Sequence, residues 1–550
     1  MLRKDNFLKG TFIATFYIVL GKIIGIIYAI PFHAIIGEKG GALYSYAYST
    51  YDIFLTLSTI GIPLAVSKIV SEYSALGFLK AQSRVLNLAK ILTVSTAFLC
   101  TITLFICAPF ISYCMIKDVK GGNTQESVTF VIRVSSTALL FVAMIGSMRG
   151  YLQGNRYISV SCKSQVLEQI TRISFVILGS YIVNNLLNLG ITQAVGTAVF
   201  GATVGAIISA LYLKSKISKE SAFEPEKYKL SDEEKSITNK FLIKKLIFTG
   251  LPFIVINIVD SSYSLVNSLT VVTTLNEKCG FSGEDAESVF GIITTWGLKL
   301  NSIVTSIAGG ITISILPNLT RDLVSKNFHE IRDKINKTLQ ILAFTTIPMA
   351  TGLSLLSRLV WISFYGKDSK FGSLVFGFSV FVAVFSSFEL NVSIIVQSLN
   401  KFKMSYFAAI SGLILNAVMN VPCMIIFGKL GLGAHNGPSF STMLGLSLSA
   451  IINLIYLKKS YGISYKKTVR EISICLASTF AMVLTIICIR SIMMVETGDR
   501  FISILLVGLY TVAGASVYFL ITFKSGLVKR VFGSDILKKI SPILGTNRQE

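Results

Sequence analysis

Apolar runs of twenty residues or more recur from one end of this chain to the other, and that recurrence limits the fold more than any motif does. A helix that crosses a bilayer needs roughly 20 predominantly apolar residues, and only helices and closed barrels satisfy their backbone polar groups in hydrocarbon. The runs here are too long for barrel strands and lack alternation with period two. The sequence therefore predicts an all-α integral membrane protein with spans at 10–36, 44–70, 88–116, 127–148, 158–184, 190–213, 246–274, 288–316, 336–364, 371–396, 404–427, 437–457, 472–495 and 501–523. Charged residues make up 14% of the 550 positions and mean hydropathy is +0.68, where a soluble domain carries about a quarter charged residues.

The net charge of +23 is dispersed in short Lys and Arg clusters between apolar runs, which argues against a nucleic-acid surface. Counting Lys and Arg on alternating connections gives about 37 on the side that holds both termini and about 9 on the other. Both termini and the 214–245 segment are thereby expected in the cytoplasm. Arg3, Lys4 and Lys9 precede a first run too long for a cleavable signal, so it reads as a retained helix. Outer connections are short, the longest around Asn276 to Glu287, leaving no room for an external catalytic domain. The 214–245 stretch mixes both charge signs with few large apolar residues, and is expected to be a solvated linker.

Cysteine and histidine carry no metal signature. None of the eight Cys forms a CxxC pair; Cys100, Cys107 and Cys114 fall every seven residues as small packing residues on one helix face. His33, His329 and His435 lack ligand spacing. No GxxxxGK[ST] cradle for nucleotide phosphate occurs. No cofactor is expected, and energy must come from an ion such as H+ or Na+, from membrane potential, or from the substrate's own gradient.

Two segments near 245 residues apart resemble each other. "YLQGNRYISVS" from Tyr151 parallels "VQSLNKFKMSYF" from Val396 once a one-residue gap is allowed. Gln153 then meets Gln397, Asn155 meets Asn400, Arg156 meets Lys401 and Tyr157 meets Phe402. Both lie on a cytoplasmic turn after an even-numbered helix, which predicts a parallel six-plus-six repeat about an axis along the membrane normal. The expected organisation is an N-lobe over 1–213, the linker 214–245, a C-lobe over 246–457, an accessory helix pair within 458–523 and a basic tail, 524–550. The two pseudo-symmetric lobes would flank a central cavity.

Ionisable side chains at bilayer depth cost several kcal/mol unless they face a cavity or a partner. Lys22, Glu168 and Lys299 fall near mid-membrane, Asp260 and Arg172 nearer the outer side, Asp52 below the outer surface and Glu389 toward the cytoplasm. These seven are the candidate cavity residues, while Arg133 and Arg358 can snorkel outward. Glu168 and Arg172, four apart, share a helical face and can pair. Lys22 and Asp260 occupy matching places in helices one and seven, which admits either pairing across the cavity or separate local pairs. Lys22 and Lys299 supply point charges suited to phosphate.

The stretch "GALYSYAYSTYDIFLTLSTIGIPLAVSKIVSEYSALG" from Gly41, with "FLKGTFIATFYIVLGKIIGIIYAIPF" before it and "RGYLQGNRYISVS" after, resembles the polysaccharide-exporter branch of the multidrug/oligosaccharidyl-lipid/polysaccharide superfamily. It is most similar there to Gram-positive lipid II flippases and their sporulation-protein relatives. The resemblance implies a fourteen-helix protein of the bacterial cytoplasmic membrane that moves the lipid-linked peptidoglycan precursor between leaflets by alternating access. It also implies cationic cavity residues on the diphosphate, and a groove for the polyprenyl tail shaped by the last two helices. Lys22 stands where that family commonly places Arg, which keeps the charge and loses the bidentate fork. The partners implied are a lipid-linked glycan, membrane lipid and other cell-wall synthesis proteins. A flippase for teichoic or capsular glycans, and a cation-coupled drug exporter, stand as alternatives.

Overall fold

The computed structural model describes residues 17, 20–21, 23–59, 61–117, 119–218, 234, 236–324, 327–493 and 497–532. No strand occurs among them. The helices, in order, are α1 (Ala29–Thr59), α2 (Ile62–Leu76), α3 (Leu79–Ile116), α4 (Gln125–Gly154), α5 (Ile158–Ser174), α6 (Ile191–Ser218), α7 (Asn239–Cys279), α8 (Gly283–Gly291) and α9 (Gly297–Val324). They continue as α10 (Phe328–Leu355), α11 (Ser357–Tyr365), α12 (Gly372–Ser379), α13 (Val382–Ser398), α14 (Phe402–Lys429), α15 (Gly437–Tyr461), α16 (Lys466–Met493), α17 (Arg500–Lys524) and α18 (Leu527–Phe532).

Twelve helical stretches among the described residues are long and apolar enough to cross a membrane. They coincide with twelve of the fourteen expected spans. The first span, 10–36, is described continuously only from residue 23, and it runs into α1, which is kinked at Gly37 (φ 65°, ψ −167°). The eighth, 288–316, is broken into α8, a π-helical turn at Ile292–Trp296 and α9. Large apolar side chains such as Leu99, Phe110, Phe480 and Phe519 are more than half exposed, each at 54% or above. Outward-facing residues of that kind suit hydrocarbon rather than water.

Contacts gather the chain into two compact units. One comprises Met1–Trp296 with Asn420–Lys429; the other comprises Gly297–Met419 with Leu430–Glu550.

Within the first unit the motif "GIPLAVSKIVSEY" explains its own composition. Gly61 takes a left-handed conformation (φ 61°), and a Cβ there would overlap the Gly250 carbonyl of α7. Pro63 occupies the first turn of α2, where its missing N–H costs nothing. Ile62, Ala65, Val66, Ile69, Val70 and Tyr73 are then buried on one face against Leu242 and Leu246 of α7. Gly146, Gly150 and Gly154 of α4 line up four apart and receive α2 backbone to backbone. A Cβ on Gly154 would stand 2.7 Å from the Ser67 carbonyl, and one on Gly150 would overlap that of Pro63. Small residues at this spacing let membrane helices approach closely.

The expectation of a wholly solvated linker is corrected at its C-terminal end. Glu234 is buried, and its carboxylate accepts the Ala81 N–H at 2.5 Å. Arg84 donates to the carbonyls of Glu234 (3.4 Å) and Ile237 (2.9 Å). The linker end thus caps α3, where an anion meets unsatisfied N–H groups and the positive pole of the dipole.

Each unit holds one of the chain's two tryptophans, both fully buried. Trp296 lies over Gly41, edge-on to Phe32 and to His33, whose ring centroid is 4.8 Å away. Trp361 lies over Gly372 with Tyr365 at 4.6 Å.

Candidate functional site

The repeat turns can be matched atom by atom, and they correct the expected register. In the first unit the N–H groups of Asn155, Arg156, Tyr157 and Ser161 donate to the carbonyls of Tyr151, Gln153, Leu152 and Tyr157. In the second unit Leu399, Asn400, Lys401 and Ser405 donate to Ile395, Gln397, Val396 and Lys401. Every residue in the second set stands 244 after its counterpart, with no gap. Arg156 (φ 65°) and Asn400 (φ 58°) are the left-handed residues of the two turns. Arg156 therefore matches Asn400, not Lys401, and Asn155 matches Leu399. Only the Gln153–Gln397 pairing keeps the expected register. Their side chains agree too, since Gln153 donates to Ser161 at 3.0 Å and Gln397 to Ser405 at 3.2 Å.

Glu168 and Arg172 are within electrostatic reach of each other, but the direct ion pair of Glu168 is with another arginine. The Glu168 carboxylate is held by Arg149 of α4 at 2.6 Å, and the same guanidinium donates to Ser164 of α5 (2.8 Å) and Ser209 of α6 (3.0 Å). One arginine thus fastens three helices. Spacing along α5 pointed to Arg172, but a charge on the facing helix reached the acid with a full set of donors. Arg149 lies six residues before the turn at 155–157 and Ser164 seven after it, which sets these two side by side across an antiparallel helix pair, with Glu168 one turn beyond Ser164. Arg172 donates instead to Gln169 within its own helix.

Arg172 is only partly exposed and lies within electrostatic reach of the hydroxyls of Tyr28, Tyr44 and Tyr48. The tyrosine rings form a chain, with 4.4 Å between Tyr44 and Tyr48 and 5.7 Å between Tyr48 and Tyr51. Asp52 acts on Tyr48 and Tyr51, and Glu168 on Tyr51. Three of the seven candidates, Asp52, Glu168 and Arg172, therefore belong to one cluster in the first unit. Tyr44, Tyr48 and Tyr51 stand in "YSYAYSTY" but were not singled out. A guanidinium fork ringed by phenols and carboxylates can grip phosphate oxygens and sugar hydroxyls together.

The remaining candidates are dispersed. Asp260 is exposed on α7, and Lys299 is partly exposed on α9. Lys22 lies outside the described residues, and with it the Lys22–Asp260 pairing. Glu389 is buried on α13 and accepts a hydrogen bond from Ser449 of α15 at 2.9 Å, which makes it a tie between helices. Among the described residues no cluster of three or more His, Cys, Asp or Glu could hold a metal ion.

The second unit contains an apolar cavity of about 380 Å³. Phe344 and Pro348 of α10, Met482 and Ile486 of α16, and Tyr510 and Tyr518 of α17 line it.

Residues 7–278 match the model of the family described as polysaccharide biosynthesis protein. The chain is 28% identical over 545 residues to the lipid II flippase MurJ of Bacillus subtilis strain 168, covering 96% of this chain and 97% of that protein. Among solved structures, lipid II flippase MurJ in an inward closed conformation superposes with a TM-score of 0.65 at 14% identity, over 92% of this chain and 98% of the other. An inward-facing multidrug-resistance MATE transporter of the MOP superfamily gives 0.62 at 14%, over 80% and 94%. At 14% identity these superpositions show a shared all-helical, multi-pass fold. The family match covers residues 7–278, just under half of the chain, which is similar over that stretch to the polysaccharide biosynthesis proteins.

Proposed function

We propose that this protein carries a polyprenyl-diphosphate-linked glycan, specifically lipid II, from the inner to the outer leaflet of the bacterial cytoplasmic membrane by alternating access. Both termini face the cytoplasm in this reading, and no covalent bond changes. The observation that carries it is the tyrosine-ringed Arg172 with Asp52 and Glu168, held at bilayer depth in a chain similar from end to end to a lipid II flippase. Fixed charge at that depth is too costly to retain without a polar cargo or partner. The apolar cavity beside α16 and α17 offers the matching surface for an isoprenoid tail. Coupling to H+, Na+ or membrane potential supplies the energy, and other cell-wall synthesis proteins supply and consume the cargo.

The breadth of the family description favours a second cargo, another lipid-linked glycan of teichoic or capsular type. Depletion of the protein followed by leaflet-resolved measurement of lipid-linked precursors decides between them. Lipid II trapped on the cytoplasmic face supports the first reading; unchanged lipid II with a different glycan trapped inside supports the second.

A further inference from the structure

Glu287, at the end of the longest outer connection and between α7 and α9, is fully buried. One of its oxygens, Oε2, accepts both the backbone N–H of Asn123 (2.7 Å) and its Nδ2 (2.8 Å). The same Nδ2 donates to the Lys39 carbonyl of α1 at 3.1 Å. The other oxygen, Oε1, is buried with no hydrogen-bond partner among the described residues, as is the Tyr46 hydroxyl that interacts with this carboxyl. Gly122 presses the loop backbone against the carboxyl, where a Cβ would stand 2.7 Å from Cδ. Next along the contact, Ser288 donates to Glu38 of α1. Three separate segments, α1, the Val119–Asn123 loop and α8, thus close on a single acid.

A carboxylate with one oxygen doubly bonded to donors and the other stranded in a dry pocket is poorly matched to its negative charge. A neutral carboxylic acid keeps both Asn123 bonds and places its proton on the stranded oxygen. Burial dominates the surroundings and pushes this carboxyl up to about 7, with Glu284 adding to the rise and Asn123 and Lys39 opposing it. The groups facing Glu287 include Lys39 and Tyr46 from α1, Asn123 from the loop and Glu284 on its own helix, with Glu38 of α1 a second carboxyl in the same contact through Ser288.

We propose that Glu287 is a proton-binding site that latches α1, the Val119–Asn123 loop and α8 together when it carries a proton and loosens them when it does not. The charge count puts these segments on the outer face, so the proton is exchanged with the outer solvent: taken up as the latch closes, released as it opens. Closure raises the affinity for the proton, so the latched form is favoured at low pH and loses that advantage as pH rises through about 7. Only the role of the latch in a transport cycle rests on the transporter reading; its proton dependence is a property of the unloaded protein.

The test is hydrogen exchange of residues 119–123 and 283–291 in the full chain, in lipid nanodiscs without substrate, at pH about 5.5 and about 8.5 after correction for intrinsic exchange. Wild type is expected to lose protection by tenfold or more at the higher pH, whereas Glu287→Gln, a permanently neutral acceptor, stays protected at both. Equal protection of wild type at the two values overturns the proposal, and so does a Glu287→Gln variant that follows wild type. The protonated-carboxyl infrared band of wild type gives a second readout that needs no variant. A band lost with a midpoint near 7 supports the site, and titration only in the ordinary carboxylate range overturns it. Either failure leaves the flippase reading standing, because cargo movement is not measured.

Discussion

Arg149, near the C-terminal end of α4, concentrates contacts to Glu168, Ser164 and Ser209, and both members of its ion pair are less than one-fifth exposed (16% and 18%). Removing one partner of a mostly buried pair strands the other charge, which costs about 3–5 kcal/mol, whereas replacing both with apolar residues is often neutral. Arg149→Met is therefore expected to lower stability sharply, Glu168→Met likewise, and the double variant to recover most of the loss. Thermal unfolding of the four proteins in one nanodisc lipid checks the cycle. The residue scale is also where sequence reasoning fell furthest short. The i,i+4 rule correctly put Glu168 and Arg172 on one face of α5, but local spacing carries no information about what a facing helix supplies. Burial of Glu287 was equally invisible, since nothing in its neighbourhood announces that Gly122 and Asn123 fold over it.

Between elements, the controlling feature is how closely α2 and α4 approach. A methyl on Gly150 would meet the Pro63 carbonyl, which belongs to rigid backbone and cannot turn aside. Gly150→Ala should push the helices apart and destabilise the first unit by about 1–3 kcal/mol, read as a lower unfolding midpoint, while an alanine at Gly508, with nothing within 4 Å, should leave it unchanged. The turns offer the opposite sign. Arg156 is held in a left-handed conformation that costs an L-residue roughly 1–2 kcal/mol. Arg156→Gly is expected to raise the midpoint by a few degrees; an unchanged or lower midpoint would mean that the arginine side chain offsets the strain. The repeat itself was legible because Gln, Ser and a polar turn recur at similar positions. Its register was not, because matching Asn155 to Asn400 by letter requires a gap that the hydrogen-bond pattern does without. Backbone geometry asks for a left-handed residue at that point, and Arg and Asn both fill it.

For the whole molecule, hydropathy alone located twelve of the stretches able to span a membrane, because length and apolarity follow directly from bilayer thickness. The eighth span departs from the pattern where a π-helical turn separates α8 from α9. The proposed cargo gives a test at this scale. Gly352 opens on the apolar cavity, with only Met482 Cε as near as 4.0 Å to a Cβ built there. Gly352→Phe should fill that space and slow movement of a long-chain polyprenyl substrate at least tenfold, while a short-chain analogue moves at the wild-type rate. Flipping assays in proteoliposomes with the two chain lengths check this; equal slowing of both would remove the cavity from any role in holding the tail.

The placement of Trp296 and Trp361, one sealed inside each compact unit, equips the molecule with two native optical reporters. Trp361→Phe leaves emission from the first unit alone and Trp296→Phe from the second, without attached dyes and without disturbing any of the charged groups discussed above. The His33 ring packs edge-on against the Trp296 indole, so that indole senses any shift of α1. Emission from that single indole would register local rearrangement beside α1 as it happens, on a timescale that unfolding midpoints and exchange rates do not reach.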